Sequence, residues 1–287
     1  MTLYKLYNLG RKFLLNDPNS EDYKTDFLHI FKEVFGLSRL DLVFYGNEDV
    51  SDRALVERFF EMLKQRLEGI PVQYILGHWN FFDMDLKVGQ GVLIPREETE
   101  TLVNLCLKIT KPNSKIIDLC SGSGAIALAL KKNIGAKCEV TAVEISKKAF
   151  TFLLENINRN GLRILAVNAD IFDVVSQYQN NFFDLIVANP PYIASGDMLF
   201  LQNEIKFEPK IALDGGRRGI VYFKKIIKIW SDKLKPGGVM AFEVGKNQSR
   251  DVLTLLEKNG FENIEIMKDF YGIDRAVAGF YKGEKTK

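Results

Sequence analysis

From residue 115 onward, short runs of branched apolar residues alternate with stretches of helical periodicity. Alternating strands and helices need crossover connections, and these impose a mainly parallel sheet. Strands are expected at 115–119, at 140–143 ending in Glu144, at 164–167 ending near Asp170, at 182–188, and at 239–243 after the turn Pro236-Gly237-Gly238. Helices are expected over 125–132 and from a Ser146 cap through Asn158. The closing runs, 264–266 and 275–280, read as an antiparallel pair. The fold class is α/β.

The run at 182–188 ends in Asn189-Pro190-Pro191-Tyr192. Neither proline can donate a ladder hydrogen bond, and each fixes its own φ. Each also pushes the residue before it into an extended conformation. A stiff loop results at the carboxyl end of a strand, where open α/β sheets bind ligands. It offers an amide side chain, a fixed backbone carbonyl and an aromatic ring.

Cys120-Ser121-Gly122-Ser123-Gly124 makes a tight glycine loop after the first of these strands. Gly122-x-Gly124-x-x-Ala127 also fits a relaxed dinucleotide fingerprint, with Glu144 at about the twenty-residue offset of a ribose-binding acid. A nicotinamide dehydrogenase therefore stays open on this segment. Asp118, four residues before Gly122, has the placement common in adenosyl-ligand loops. The loop indicates a nucleoside ligand without identifying it. Taken with the Asn-Pro-Pro-Tyr loop, it suggests methylation of a planar nitrogen. The Asn189 side-chain oxygen and the Pro190 carbonyl can each accept one N–H of an –NH2 group, and Tyr192 can cover its flat face. Positioning would then be the main catalytic contribution.

The rest of the chain reads more simply. Leu3, Leu6, Tyr7, Phe13 and Leu14, then Phe27, Ile30, Phe31, Val34 and Phe35, recur at helical spacing. Ser51 is the expected cap of a third helix carrying Leu55, Phe59, Met62, Leu63 and Leu67. Runs at 74–82 and 84–88 look like two short strands around a turn at Asp83. Arg96, Glu98 and Glu100 sit at the mouth of a helix from about 97 to 109. They serve there as capping charges or, beside a cleft, as contacts to a polar substrate. The expected division is a helical domain at 1–75, a hairpin linker at 76–92 and an α/β domain at 93–287.

A net charge of +2 with 26% charged residues gives no basic nucleic-acid surface. Cys106, Cys120 and Cys138 lack metal or disulfide spacing, and His29 and His78 stand far apart, so no metal site is expected. The start has no signal-peptide core and no apolar run reaches membrane-spanning length, so a soluble, cytoplasmic protein is expected.

These residues resemble the HemK/PrmC family, protein-(glutamine-N5) methyltransferases that act on peptide chain release factors. The likeness runs through Tyr74-Ile75-Leu76-Gly77, Val92-Leu93-Ile94-Pro95-Arg96, Glu98-Thr99-Glu100, Asp118 to Gly124, Asn189 to Tyr192, Phe207-Glu208-Pro209-Lys210 and Asp274-Arg275. It implies a small helical substrate-binding domain, a β-hairpin linker and a Rossmann-like class I S-adenosylmethionine-dependent methyltransferase domain, its sheet mostly parallel with an antiparallel last strand. It also implies a glutamine acceptor in the Gly-Gly-Gln loop of class 1 release factors. Cofactor contacts would come from Cys120, Ser121, Gly122, Ser123, Gly124, Glu144, Asp170, Ile171 and Asn189. Asn189, Pro190, Pro191 and Tyr192 would hold the glutamine, with Asn189 and Tyr192 catalytic and Arg96 and Glu98 beside the substrate. The chain departs from the family's usual pattern at Glu97, Glu144, Ile171 and Arg218; Glu144 in place of Asp keeps the ribose acceptor.

Two other readings fit parts of the pattern. An adenine-N6 methyltransferase acting on DNA or RNA would use the same tetrapeptide, although near-neutral charge argues against nucleic acid as a direct substrate. A non-catalytic adenosyl-binding or dehydrogenase-like module would share only the glycine loop.

Overall fold

The computed structural model describes residues 1–15 and 23–284; residues 16–22 and 285–287, inside the expected ranges 1–75 and 93–287, lie outside the described residues. The chain forms two compact units, Met1–His78 with Gln202–Phe207, and Trp79–Leu201 with Glu208–Lys287.

The first unit is helical: α1 (Leu3–Leu15), α2 (Tyr23–Phe35), α3 (Leu42–Tyr45), α4 (Arg53–Leu67) and α5 (Val72–Leu76). The aromatic stripes become its core, with Phe27, Phe31 and Phe59 buried and Phe31 edge-on to Phe59 at 5.9 Å. Arg66 is buried beneath the Tyr23 ring and forms ion pairs with Asp26 and Glu204. The second of these pairs ties in the segment Gln202–Phe207.

Two local expectations are corrected here. Asp52, not Ser51, caps α4: its backbone is extended and its Oδ1 accepts the Ala54 amide at 2.9 Å. The expected strand from Tyr74 is instead a helical turn, started at Pro71 and stopped by Gly77 in the left-handed region. The hairpin proper is β1 (His78–Phe81) and β2 (Met84–Lys87), joined through Phe82 and Asp83, both at positive φ.

In the second unit α6 (Thr99–Ile109) precedes β3 (Lys115–Asp118), α7 (Ala125–Ile134), β4 (Glu139–Glu144) and α8 (Lys147–Arg159). There follow β5 (Leu165–Asn168), α9 (Ile171–Val174), β6 (Phe183–Ala188), α10 (Val221–Trp230), β7 (Leu234–Glu243), α11 (Ser249–Lys258), β8 (Phe261–Lys268) and β9 (Asp274–Tyr281). The sheet order is β5-β4-β3-β6-β7-β9-β8. Strands β5, β4, β3, β6 and β7 pair in parallel, whereas β9 slots between β7 and β8 antiparallel to both. Successive residues pack on opposite faces: Ile116 joins one apolar layer with Leu102, Leu128 and Leu153, and Ile117 the other with Phe223, Trp230 and Phe242. Helices α10 and α11 are not among the expected elements. They cover that second face through Phe223, Ile226, Ile227, Trp230, Val252 and Leu256.

The chain leaves β3 towards β4 on one side and leaves β6 towards β7 on the other, so the strand order reverses between β3 and β6. A crevice follows at the carboxyl ends of β3, β4 and β6.

Candidate active site

The glycine loop starts in register with both neighbours of β3. The Leu119 amide donates to the Val187 carbonyl and the Ser121 amide to the Val143 carbonyl, each at 3.0 Å. The two glycines then do different work. A Cβ on Gly124 would lie 2.5 Å from Leu153, so this glycine lets α8 pack against the loop. A Cβ on Gly122 would meet nothing nearer than Val92 at 3.9 Å, so its backbone borders open space. Glu144, at the end of β4, is buried and accepts the Gly122 amide at 2.8 Å and the Ser146 amide at 2.7 Å. Burial raises its pKa in spite of those amides. Its carboxylate fixes the loop and still has lone pairs for a further donor.

Asn156 on α8 is missing from the sequence-derived set and is fully buried. Its Oδ1 accepts the Lys87 amide at 2.6 Å, and its Nδ2 donates to the carbonyls of Lys87 and Ser123. One side chain thus joins the glycine loop to β2. Nothing in local spacing marks it, since its partners lie 69 and 33 residues away.

Asp118 has no exposed surface, and neither carboxylate oxygen has a hydrogen-bond partner of good geometry among the described residues. Burial pushes its pKa up to about 7, outweighing the nearby Ser121 hydroxyl and the Cys120 and Ala127 amides. The folded state therefore holds a proton that the unfolded chain has already released. Stability from this group is full below the ordinary carboxylate value and is lost as pH rises towards about 7, by roughly 4 kcal/mol at most. Thermal unfolding should show the wild type losing stability across that window relative to Asp118→Asn. Parallel curves for the two proteins would contradict it.

On the other side of β3, β6 delivers Asn189-Pro190-Pro191-Tyr192. The Asn189 amide has no hydrogen-bond partner among the described residues and lines a cavity of about 460 Å³. The same cavity is lined by Arg96, Cys120, Ser121, Gly122, Ser123, Glu144, Asp170, Ile171 and Pro191. Gly124, Glu98, Pro190 and Tyr192 lie outside the lining. The Tyr192 hydroxyl donates to Glu243 Oε1 at 3.0 Å, and burial followed by that carboxylate drives its pKa far up. Glu243 is itself buried, and its Oε2 has no hydrogen-bond partner among the described residues. Asp170 caps α9 by accepting the Phe172 amide at 2.8 Å, which turns Ile171 into the cavity wall. Arg96 pairs with the buried Glu208, whose other oxygen accepts the Ile94 amide at 3.0 Å.

Sequence reasoning also misses the wall made by Phe172 and Tyr222, whose rings stack at 6.3 Å, with the Lys225 ammonium over the Phe172 ring at 5.3 Å. The signal for Tyr222 was the apolar period of α10, which places it at the helix start.

A parallel sheet with its last strand inserted antiparallel, and an open glycine loop sharing a cavity with an Asn-Pro-Pro-Tyr loop, define a methyltransferase. The chain matches the Methyltransferase small domain over residues 98–226 and the PrmC N-terminal domain over residues 6–77. It shares its fold with a solved methyltransferase from Pyrococcus furiosus, at a TM-score of 0.53 and 20% identity, covering 69% of this chain and 89% of that one. The chain belongs to the release factor glutamine methyltransferase family. It is 34% identical over 271 residues to the release factor glutamine methyltransferase of Clostridium acetobutylicum, covering 92% of this chain and 93% of that protein. The protein of that name from Thermodesulfovibrio yellowstonii is also 34% identical, with 96% of both chains covered.

Proposed function

We propose that the chain transfers a methyl group from S-adenosylmethionine to the side-chain amide nitrogen of the glutamine in the Gly-Gly-Gln loop of peptide chain release factors. One observation carries this reading: the Asn189 amide, without a hydrogen-bond partner among the described residues, lines the same cavity as Gly122 and Glu144. The relatives' name supports a release factor as the substrate.

The residues present fit the methyl donor. Gly122 offers backbone with no side chain in the way, and Glu144 offers free lone pairs for ribose hydroxyls. Asp170 and Ile171 would border the base, and Asn189 would stand between donor and acceptor. When bound, S-adenosylmethionine supplies an electrophilic methyl group on a sulfonium, whose sulfur keeps the electron pair as the carbon–nitrogen bond forms.

The protein's own part is to orient the nucleophile. An amide lone pair is delocalised into its carbonyl and is poorly reactive. Asn189 Oδ1 and the Pro190 carbonyl would each accept one N–H of the acceptor, fixing its plane so that the lone pair turns towards the methyl carbon. The nitrogen, acidic once alkylated, gives up one proton to solvent, so no strong base is required. Tyr192, with its hydroxyl held by Glu243, stiffens the loop next to the acceptor-holding groups. Incubating the protein with labelled S-adenosylmethionine and either a release factor or nucleic acid tests the reading. Label is expected in the release factor; label confined to adenine would replace this reading with the nucleic-acid one.

A further inference from the structure

The prolines of the Asn189–Tyr192 loop fix φ but donate no hydrogen bond, so the loop's remaining polar support comes from elsewhere in the chain. Besides the Tyr192–Glu243 hydrogen bond, two segments further along the chain brace it. The first is the turn at 213–219. Ile193 donates to the Leu213 carbonyl at 3.0 Å and accepts the Gly215 amide at 2.8 Å, a short parallel bridge immediately after the tetrapeptide. A Cβ on Gly215 would fall 2.6 Å from the Pro191 oxygen, and one on Gly219 would fall 2.0 Å from the Tyr192 oxygen. The backbone of the loop therefore rests directly on backbone.

The second segment is Gln248, which belongs to none of the residue sets described above. It starts α11, and its half-buried side chain spans three chain segments. Its Oε1 accepts the Gly245 amide at 2.9 Å, which fixes which end of the side chain is the oxygen. Its Nε2 therefore donates, to the Tyr192 carbonyl at 2.9 Å and more weakly to the Gly219 carbonyl at 3.4 Å. One amide thus ties the loop after β7 to the tetrapeptide and to the turn beneath it. Both ends are occupied, so the side chain cannot rotate without breaking a bond at each.

We propose that Gln248 is a positioning residue for methyl transfer, clamping the Tyr192 carbonyl so that Asn189 and the Pro190 carbonyl are held at the spacing of an –NH2 group. The proposal rests on the reading that this tetrapeptide holds the acceptor amide. Its physical content is that in-line transfer is sensitive to displacements of the order of an ångström, whereas binding at the glycine loop is not. Among the described residues the Gln248 side chain has hydrogen bonds to Gly245, Tyr192 and Gly219 and none to Gly122, Glu144 or Asp170, and it lies outside the cavity lining. Its loss should be felt in turnover and spared in cofactor affinity.

The discriminating variant is Gln248→Glu, which keeps shape and keeps an acceptor for the Gly245 amide. It replaces the donor with an anionic oxygen facing the Tyr192 and Gly219 carbonyls. Turnover on an intact release factor should fall by about tenfold or more, with KM for the release factor and Kd for S-adenosylmethionine each changing by less than about threefold. Unfolding temperatures measured alongside confirm that the assay runs on folded enzyme, and Gln248→Met, which lacks both bonds, should show the same split if the charged variant folds poorly. Unchanged turnover in folded Gln248→Glu and Gln248→Met, with an active wild type, overturns the clamp alone. So does a loss shared equally between turnover and cofactor affinity. A wild-type enzyme that methylates no glutamine overturns the acceptor reading and removes the clamp's assigned task with it.

Discussion

Asn189→Ala should reduce methyl transfer by about a hundredfold or more while leaving the protein folded, because it removes an oriented acceptor and loosens the geometry of transfer together. Among the described residues the side chain has no hydrogen-bond partner that its loss would leave unpaired, so the cost to folding should be small. The effect should fall mainly on kcat, since the contact matters most as the nitrogen rehybridises. Single-turnover kinetics with saturating S-adenosylmethionine would read the chemical step directly. A variant with wild-type turnover would remove Asn189 from the reaction.

Glu144→Ala should weaken S-adenosylmethionine binding by roughly 1.5–3 kcal/mol, about ten- to a hundredfold, the range for charge-assisted hydrogen bonds. Two losses combine here: the acceptor for ribose hydroxyls, and the carboxylate that pins the Gly122 and Ser146 amides. Glu144→Gln separates them in part. Its carbonyl can replace one of the two bonds, but its –NH2 then points at a second N–H. Affinity for the Gln variant should therefore lie between wild type and Ala. Calorimetry giving the wild-type affinity for Glu144→Ala would take this residue out of the cofactor site.

What could be read beforehand divides along physical lines. The strands β3, β4, β6 and β7 were legible because each is a short branched run stopped by polar or turn residues. The same local grammar marks the Ser146 cap, whose hydroxyl accepts the Ala149 amide at 3.3 Å. Sheet order was not legible, because placing β9 between β7 and β8 depends on pairings that leave no trace in local pattern. The helical turn at Tyr74–Leu76 was hidden by β-favouring side chains, while the deciding residues were Pro71 and Gly77 at its ends. Helix α10 carries a readable apolar period in Phe223, Ile226, Ile227 and Trp230, whereas α11 offers only Val252 and Leu256 on its buried face.

At the site, residue types were easier to read than their relations. That Asn189 and Glu144 share a cavity follows from strand ends meeting at one edge of the sheet. That the Tyr192 hydroxyl is already engaged does not, because Glu243 sits 51 residues later at the end of another strand. The supporting amides, Asn156 under the glycine loop and Gln248 beside the tetrapeptide, are invisible for the same reason.

The most direct test of the central claim is mass spectrometry of an intact release factor after reaction with this protein and S-adenosylmethionine. One added methyl on the side-chain amide of the Gly-Gly-Gln glutamine, absent when Asn189→Ala replaces the wild type, is the expected result. A methyl on another residue, or on adenine of added DNA or RNA with the glutamine untouched, would contradict it.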